Sequence, residues 1–303
     1  MHQGLMEKAD HPMDTSNWQT PLSNLVDRYD GLLCDIWGVL HNGVAAFDCA
    51  VDALRKARAR GLFVILVTNA PRLSKDIHPQ LARFGVPRDA FDTLITSGDV
   101  IKTLIAGQPN SALFHFGATR DHSVLDGLPD PIVGMQDARL CLLTGPYDDT
   151  IDTAEIYHAD LVKMRDNAVM MICANPDLVV RSGPRMVICA GSIAKLYSQL
   201  GGKVIFAGKP EREIYTEALS RAKAIAGRDI PKNRLLAVGD GLLTDIKGAA
   251  DNGFDAYFIA GGIHAIEYDE LRTEDDAKRA VNTIKSQYSK LNLAGVCNRL
   301  RWI

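Results

Sequence analysis

Short apolar runs alternate along the chain with segments in which apolar residues recur at helical spacing. The runs at 30–36 and 62–67 are short and mostly apolar, which is typical of buried strands. Between them, the segment 47–60 places its apolar residues on one helical stripe, and Gly61 follows as a stop signal. Two such strands joined by a helix predict a βαβ unit. Strands that are apolar throughout are typical of a parallel sheet covered on both faces.

The same alternation continues toward the C-terminus and predicts an α/β protein. Further strands are predicted at 112–116, 140–144, 168–174, 203–207, 235–238 and 255–259. Further helices are predicted at 74–84, 151–166, 192–200, 212–226, 244–252 and 274–289. A stretch rich in Gly, Pro and Asp at 107–134 and the Gly201-Gly202 pair look like seams, so we expect an inserted module between them. The tail at 291–303 is expected to pack as a final helix or strand, or to form a dimer contact.

Composition and charge exclude several classes of partner. The chain has 303 residues and a formal net charge of −3, so no basic footprint for nucleic acid is expected. No apolar run approaches the roughly 18 residues of a membrane span, and the polar segment 1–19 is unlike a secretory signal. The six cysteines are scattered without a C-x-x-C pair, which indicates buried thiols in a reducing compartment. We therefore expect a cytoplasmic protein with no nucleic-acid or membrane partner.

Acidic residues stand at the ends of two predicted strands, where ligands bind in parallel α/β sheets. Asp35 closes the first strand, and a buried carboxylate is costly there unless it is paired or used. Such a group serves as a nucleophile or as a ligand of a hard cation. Asp240 and Asp245 flank a glycine-bearing turn after the strand at 235–238, so both can serve one cation. Taken singly, each is also explained as a loop or helix cap.

Two further strand ends carry groups that suit an anion. Thr68 and Asn69 follow the strand at 62–67 and offer a hydroxyl and an amide to phosphate oxygens. Lys209 follows the strand at 203–207 and is a compact point charge of the kind that binds phosphate. Thr and Asn are also common turn formers, and surface lysines are frequent. The prediction of a site therefore depends on all four segments together.

In this order and strand-end context, the four segments resemble the four motifs of the haloacid dehalogenase superfamily of aspartate-nucleophile phosphohydrolases, over about residues 30–263. The long insert resembles the class II A cap, whose branch includes pyridoxal phosphate, nitrophenyl and nucleotide or sugar phosphatases. The resemblance implies an α/β fold with a Rossmann-like, three-layer parallel-sheet core at 1–109 and 204–303. It implies an inserted α/β cap at 110–203. A small phosphorylated metabolite is the implied substrate, and a homodimer through the cap is one expectation.

The resemblance also implies a role for each candidate residue. The implied roles are Asp35 as nucleophile, Thr68, Asn69 and Lys209 as phosphate ligands, and Asp35, the Trp37 backbone carbonyl and Asp240 as Mg²⁺ ligands, with Asp245 at the edge of the metal site. The cap residues Asn175 and Asp177 form an Asx-Pro turn by composition, and the resemblance implies that this turn faces the site and helps to select substrate. Mg²⁺ prefers oxygen ligands, which this set supplies.

Trp37 departs from the family pattern, which usually has a second Asp at this position. That Asp protonates the leaving alcohol and later activates water, whereas an indole is neither a useful acid nor a base. Losing general acid–base help costs about 10²–10⁴ in rate, or about 3–5 kcal/mol of barrier. The backbone carbonyl of Trp37 is unaffected by this change, so the Mg²⁺ site is still expected.

Three interpretations of this departure stay open. The protein is a phosphatase whose leaving group departs without protonation, or one in which another residue such as His41 substitutes. Alternatively, it runs a different hydrolysis on the same nucleophile, as superfamily members without the second Asp do. The third interpretation is a binding or regulatory protein that keeps the phosphate and Mg²⁺ site with little turnover. Because the other motif residues are all present, we rank phosphatase activity first.

Overall fold

The structure, a computed structural model, describes residues 19–108, 112–128, 131–182, 185–263, 271 and 273–303. In these residues the strands are β1 Gly31–Cys34, β2 Phe63–Thr68, β3 Thr93–Thr96, β4 Leu113–Phe116, β5 Leu140–Leu143, β6 Met170–Cys173, β7 Val179–Ser182, β8 Arg185–Ile188, β9 Val204–Phe206, β10 Leu235–Gly239, β11 Asp255–Ile259 and β12 Leu293–Cys297. The α-helices are α1 Asp48–Ala59, α2 Ser74–Phe84, α3 Ser97–Ala106, α4 His158–Asp166, α5 Ala190–Gln199, α6 Arg212–Ala226, α7 Lys247–Asn252 and α8 Glu274–Gln287.

Six parallel strands form the larger sheet, in the order β12-β11-β10-β1-β2-β3. Successive side chains of a strand point to opposite faces. Leu32 accordingly packs with α1 and α2 on one face, whereas Leu33 packs with α6 and α8 on the other. Helices therefore cover both faces, which confirms the predicted Rossmann-like α/β core of three layers.

The smaller sheet has the order β4-β5-β6-β9 and is also parallel. Helices α4 and α5 cover one face, and the other face packs against Ile101 and Ile105 of α3. The predicted boundary at residue 204 assigns the strand at 203–207 to the core. Strand β9 instead pairs with β6 and so belongs to the smaller sheet. That strand assignment is corrected, and the division into a core and a cap stays a prediction.

Several elements differ from their predicted bounds or were not predicted. Strand β3 and helix α3 were missed because α3 begins directly after β3, with Thr96 and Asp99 forming a capping box and no intervening turn. The helix predicted at 151–166 begins only at His158, after a 3₁₀ turn. The helix predicted at 244–252 is a π-helical turn over Leu242–Ile246 followed by α7. Local apolar spacing does not distinguish these variants, because it reports the buried face rather than the hydrogen-bond pattern.

The remaining expectations concern the tail, the thiols and membrane spans. Strand β12 pairs with β11 at the sheet edge, which confirms the tail as a final strand, while a dimer contact stays a prediction. All six cysteines are free and five are buried as expected, but Cys49 is exposed near the start of α1. Among the described residues, no helix has the combination of length and apolar character that crossing a bilayer requires.

Candidate active site

Asp35 and Lys209 form the centre of the candidate active site. Asp35 follows β1 directly, and its backbone N–H donates to the carbonyl of Val238 at 2.8 Å, which continues the pairing with β10. The Nζ of Lys209 donates to Oδ1 of Asp35 at 2.5 Å and to Oδ1 of Asp245 at 2.7 Å. All three side chains are buried. Three separate predicted motifs therefore meet at one point.

Asp240 approaches the same point because two glycines leave room for it. Its Oδ2 accepts a hydrogen bond from the backbone N–H of Ile263 at 2.6 Å. A Cβ at Gly38 would lie 2.0 Å from this oxygen, and a Cβ at Gly262 would lie 1.9 Å from it. Gly38 also has a φ of +86°, a conformation that favours glycine. Glycine at both positions is therefore what lets the carboxylate of Asp240 reach the site.

Asp245 is held from its own loop as well as by the lysine. Its Oδ2 accepts from the backbone N–H of Gly241 at 3.0 Å, and its own N–H donates to the Gly241 carbonyl at 2.9 Å. Carboxylate oxygens of Asp35, Asp240 and Asp245 all lie within 4.8 Å of one another. This confirms that the predicted acidic residues converge, with Asp245 directly on the lysine.

Burial and charge crowding shift the ionisation of these groups. Burial raises the pKa of Asp35 to about 7, although Lys209 opposes this change. Burial also raises the pKa of Asp240 well above its ordinary value, with Asp35 and Asp245 adding repulsion. For Lys209, burial by itself lowers the pKa, but Asp245, Asp35 and Asp177 more than reverse this and hold it well above its ordinary value.

The donor set fits a hard divalent cation. Three buried carboxylates stand against a single lysine ammonium, which leaves an excess of two negative charges if all are ionised. Buried charges need compensation, and oxygen ligands are those that Mg²⁺ and Ca²⁺ prefer. The carboxylates of Asp35 and Asp240 would hold the ion. The carboxylate of Asp245 is engaged by Lys209 and Gly241, and its place at the edge of a metal site stays a prediction.

Thr68 and Asn69 take different positions. Thr68 is buried at the end of β2 and lines the same cavity as Asp35, where a phosphate ligand was predicted. Asn69 instead joins two segments, because its Nδ2 donates to Oδ1 of Asp177 at 2.9 Å and to the Lys209 carbonyl at 3.2 Å. Its Oδ1 accepts from the Lys209 N–H at 2.7 Å. The side chain of Asn69 is therefore used for positioning, and this geometry does not support its predicted contact with phosphate.

The two cap residues are separated by the structure. Asp177 lines the cavity and carries a pKa raised by burial and lowered in part by Lys209. Asn175 is not among the described residues that line the cavity, and its Oδ1 accepts from the Asp177 N–H at 3.1 Å, as in an Asx turn. Asn175 thus shapes the turn, and Asp177 alone faces the site. A substrate contact by either residue stays a prediction.

A cavity of about 670 Å³ opens above these charged groups. Its walls are largely apolar and include Trp37, Phe47, Pro176, Leu178, Val180, Phe206, Leu242 and Ile263. Sequence reasoning missed Phe47 and Ile263. The strand-end rule points to the second of these, because residues 260–263 directly follow β11, the neighbour of β10. Phe47 precedes α1, and no local signal assigned it to a cavity.

Trp37 and His41 occupy adjoining positions, but only Trp37 lines the cavity in the described structure. The Nε1 of Trp37 donates to the carbonyl of Arg181 at 2.7 Å. His41 is only 3% exposed, and its Nδ1 accepts from the N–H of Gly43 at 3.1 Å. Burial lowers the pKa of His41 to about 4. The hypothesis that His41 replaces the missing acid therefore finds no support in this geometry.

The parallel α/β core thus carries a lysine among three carboxylates, two of which directly follow strands. The sequence matches the family described as haloacid dehalogenase-like hydrolase over residues 32–128, and one described as HAD-hydrolase-like over 206–286. Among solved structures, a hydrolase of the haloacid dehalogenase-like family from Brucella suis 1330 is 46% identical with a TM-score of 0.79. This match covers 82% of the present chain and 91% of that one. The chain belongs to the haloacid dehalogenase-like hydrolases.

Named relatives are phosphatases of the same kind. The 5'-nucleotidase YutF of Bacillus subtilis is 22% identical over 260 residues, which cover 85% of the present chain and 96% of YutF. The D-glycerol 3-phosphate phosphatase of Mycobacterium tuberculosis is 27% identical over 249 residues, covering 80% of the present chain and 66% of that protein. The predicted membership in the capped phosphatase branch of the superfamily is thereby confirmed.

Proposed function

We propose that the protein is a Mg²⁺-dependent phosphohydrolase that acts on a small phosphate ester through an aspartyl-phosphate at Asp35. The observation that carries this proposal is the meeting of Asp35, Lys209, Asp240 and Asp245 within one buried cluster below an open cavity. The named relatives act on a nucleotide and on glycerol phosphate, which supports a small phosphorylated metabolite as substrate.

The chain's own residues account for most of the work that such a reaction needs. Phosphoryl transfer depends mainly on positioning and on neutralising charge spread over the phosphoryl oxygens. Lys209 offers that charge, and its bond to Oδ1 of Asp35 orients the attacking carboxylate. Thr68 offers a hydroxyl from the end of β2. Asn69 holds the Lys209 backbone and Asp177 in register, so that the base of the cavity is fixed before substrate arrives.

Mg²⁺ would be held by the carboxylates of Asp35 and Asp240 and, by resemblance, by the Trp37 carbonyl. When bound, it would supply a second positive charge beside the phosphoryl oxygens. The convergence of these carboxylates, where burial and mutual repulsion raise the pKa of Asp35 and Asp240, supports this assignment because a bound cation would favour their ionised forms. A homodimer through the cap and a cytoplasmic location are also proposed. Gel filtration with light scattering tests the dimer.

The test is hydrolysis of p-nitrophenyl phosphate and of a panel of metabolite phosphates, with Mg²⁺ and with EDTA. We expect turnover that requires Mg²⁺ and that falls to background in Asp35→Asn. This variant keeps the shape of the nucleophile and removes its charge. Circular dichroism and a thermal melt confirm that the variant is folded. Turnover that survives in folded Asp35→Asn would contradict the assignment of the nucleophile.

A binding or regulatory protein is the second candidate, and Trp37 is the observation that favours it. Without the usual acid at this position, the site could retain phosphate and Mg²⁺ with little turnover. The same panel decides between the two candidates. Absence of Asp35-dependent turnover on every ester, together with calorimetric binding of Mg²⁺ or inorganic phosphate, would favour binding over catalysis.

A further inference from the structure

Trp37 is fixed on three sides at the edge of the active-site cavity. Its Nε1 donates to the carbonyl of Arg181, a residue of the β7–β8 hairpin. Its ring meets the ring of His41 edge-on, with centroids 5.1 Å apart. A Cβ at Gly43 would lie 2.5 Å from the indole, so glycine is what leaves space for this ring. The indole is therefore a built part of the cavity wall.

The fixed indole has a chemical consequence two positions after the nucleophile. By the resemblance to the family, a carboxyl group at this position would give a proton to the departing oxygen. The indole N–H is instead committed to the Arg181 carbonyl. His41 is packed behind the indole against Phe84, with ring centroids 4.8 Å apart. It is not among the described residues that line the cavity. Two other carboxylates line the cavity, Asp177 and Glu211, and the experiment below also reveals any proton that they donate.

The cavity that Trp37 lines is walled mainly by apolar side chains, with Arg181, Lys195 and Arg299 among its charged groups, and so it suits a flat apolar group attached to an anionic phosphate. Phe47 and Phe206 line the same cavity, together with Leu178 and Leu242. Apolar walls with a few convergent polar groups are the usual form of a site for a small organic ligand. Aromatic rings pack favourably edge-on or offset against one another, which gives an aryl group a specific seat here.

We propose that Trp37 is a specificity-determining residue that confines hydrolysis to aryl phosphate esters, whose leaving oxygen departs as an anion without receiving a proton. This inference rests on the proposed phosphatase function. In the first step a carboxylate oxygen of Asp35 forms a bond to phosphorus. The bond from phosphorus to the aryl oxygen breaks, and that oxygen keeps the electron pair as a phenolate. Water then forms a bond to phosphorus, the bond to Asp35 breaks, and the water proton leaves with phosphate or solvent.

The acidity of the leaving alcohol decides which esters react. A phenol such as the tyrosine side chain has a pKa of about 10, so its anion is a tolerable leaving group. An aliphatic alcohol resembles water and is far less acidic than a phenol, so it needs a proton as it departs. The absence of a general acid therefore penalises alkyl esters by about 10²–10⁴ in rate. The rate of hydrolysis of aryl esters falls much less when the general acid is absent.

The experiment measures kcat and kcat/KM with Mg²⁺ for a series of substituted phenyl phosphates and for glycerol 3-phosphate. For the wild-type protein we expect kcat/KM, which reports the transfer of the phosphoryl group to Asp35, to fall steeply as the phenol becomes less acidic. We expect kcat/KM on p-nitrophenyl phosphate to exceed that on glycerol 3-phosphate by about 10³-fold or more. The slope against leaving-group acidity reports proton donation directly, and a purely structural role of Trp37 would not set it. This part needs no variant and so does not depend on how a variant folds.

Two variants at the same position extend the test. Trp37→Asp restores an acid, and we expect it to raise kcat/KM on glycerol 3-phosphate by about 10²-fold and to flatten the slope. Trp37→Phe removes the bond to the Arg181 carbonyl but offers no acid, so we expect the slope to stay steep. Trp37→Phe is the matched control for disturbance of the hairpin contact.

Two outcomes would overturn the inference while leaving the phosphatase function intact. One is wild-type turnover of glycerol 3-phosphate within tenfold of p-nitrophenyl phosphate, whichever residue supplies the proton. The other is a folded Trp37→Asp with an unchanged slope. Failure of the proposed function gives a different result, because no ester, aryl esters included, would then show turnover that Asp35→Asn abolishes.

Discussion

Lys209→Met removes the positive charge that joins Asp35 and Asp245. The ammonium lies 2.5 Å and 2.7 Å from their oxygens, and each of the three side chains is less than a tenth exposed. Breaking a buried ion pair by removing one partner costs about 3–5 kcal/mol, because a charge is left buried without compensation. We therefore expect the free energy of unfolding to fall by about 4 kcal/mol at pH 8 in the absence of metal.

The loss should be smaller at lower pH. The pKa of Asp35 is already raised to about 7 in the wild-type protein, and removal of the ammonium raises it further. At pH 6 the carboxyl group is already largely protonated in the wild-type protein, so removal of the ammonium leaves less uncompensated charge than at pH 8. Urea unfolding in EDTA at pH 6 and pH 8, followed by circular dichroism, measures both values.

The control for this prediction is an exposed ion pair of the same type. Lys278 Nζ lies 2.8 Å from a carboxylate oxygen of Glu274, and both side chains are more than 60% exposed. Because exposed pairs contribute only about 0–1 kcal/mol, Lys278→Met should change stability by less than about 1 kcal/mol. If Lys209→Met were no more costly than Lys278→Met at pH 8, the argument that Lys209 compensates buried carboxylates would be refuted.

Two further predictions concern His41 and Gly38. Burial lowers the pKa of His41 from about 6.5 to about 4. Between these two pH values the unfolded chain binds a proton that the folded protein does not, so the free energy of unfolding is highest above pH 6.5 and decreases as the pH falls toward 4. This difference in pKa corresponds to about 3 kcal/mol of stability. When urea unfolding is measured from pH 7 to pH 4, His41→Phe should therefore lose about that much less stability than the wild-type protein. Equal losses of stability in the two proteins over this pH range would contradict this prediction. Gly38→Ala places a methyl 2.0 Å from an oxygen of Asp240, so we expect about 1–2 kcal/mol of backbone strain and loss of the rise in Tm that Mg²⁺ produces. Gly61→Ala is the control, because Gly61 also has a positive φ but has no atom within 4 Å of the added methyl, and it should keep the Mg²⁺ effect.

Local pattern was enough to predict the framework of the core. The apolar runs around Leu32 and in 62–67 became adjacent parallel strands, and α6 has the predicted bounds of Arg212–Ala226. The acidic residues Asp35 and Asp240 were found because both directly follow apolar strands and occur together with the Thr68 and Lys209 segments, which also follow strands. These predictions succeeded because the spacing of apolar residues along a strand or helix reflects which of its faces is buried.

Contacts between distant residues were decided by the tertiary structure. Lys209 follows a strand of the smaller sheet, yet its ammonium contacts a carboxylate of the larger sheet. Asn69 looked like a phosphate ligand and is instead joined to Asp177, 108 positions away. The segment that forms β9 is predicted as one more apolar strand, but the spacing of its apolar residues does not indicate which sheet it joins.

The sequence by itself determined the α/β class, the central strands and the identity of the charged residues at their ends. Only the tertiary structure decided that Trp37 is bound to Arg181, 144 positions later, and that His41 is buried behind it. The physical reason is that the type and spacing of side chains determine local structure within a few residues of the chain. Hydrogen-bond partners and burial depend instead on which segments the whole fold brings together.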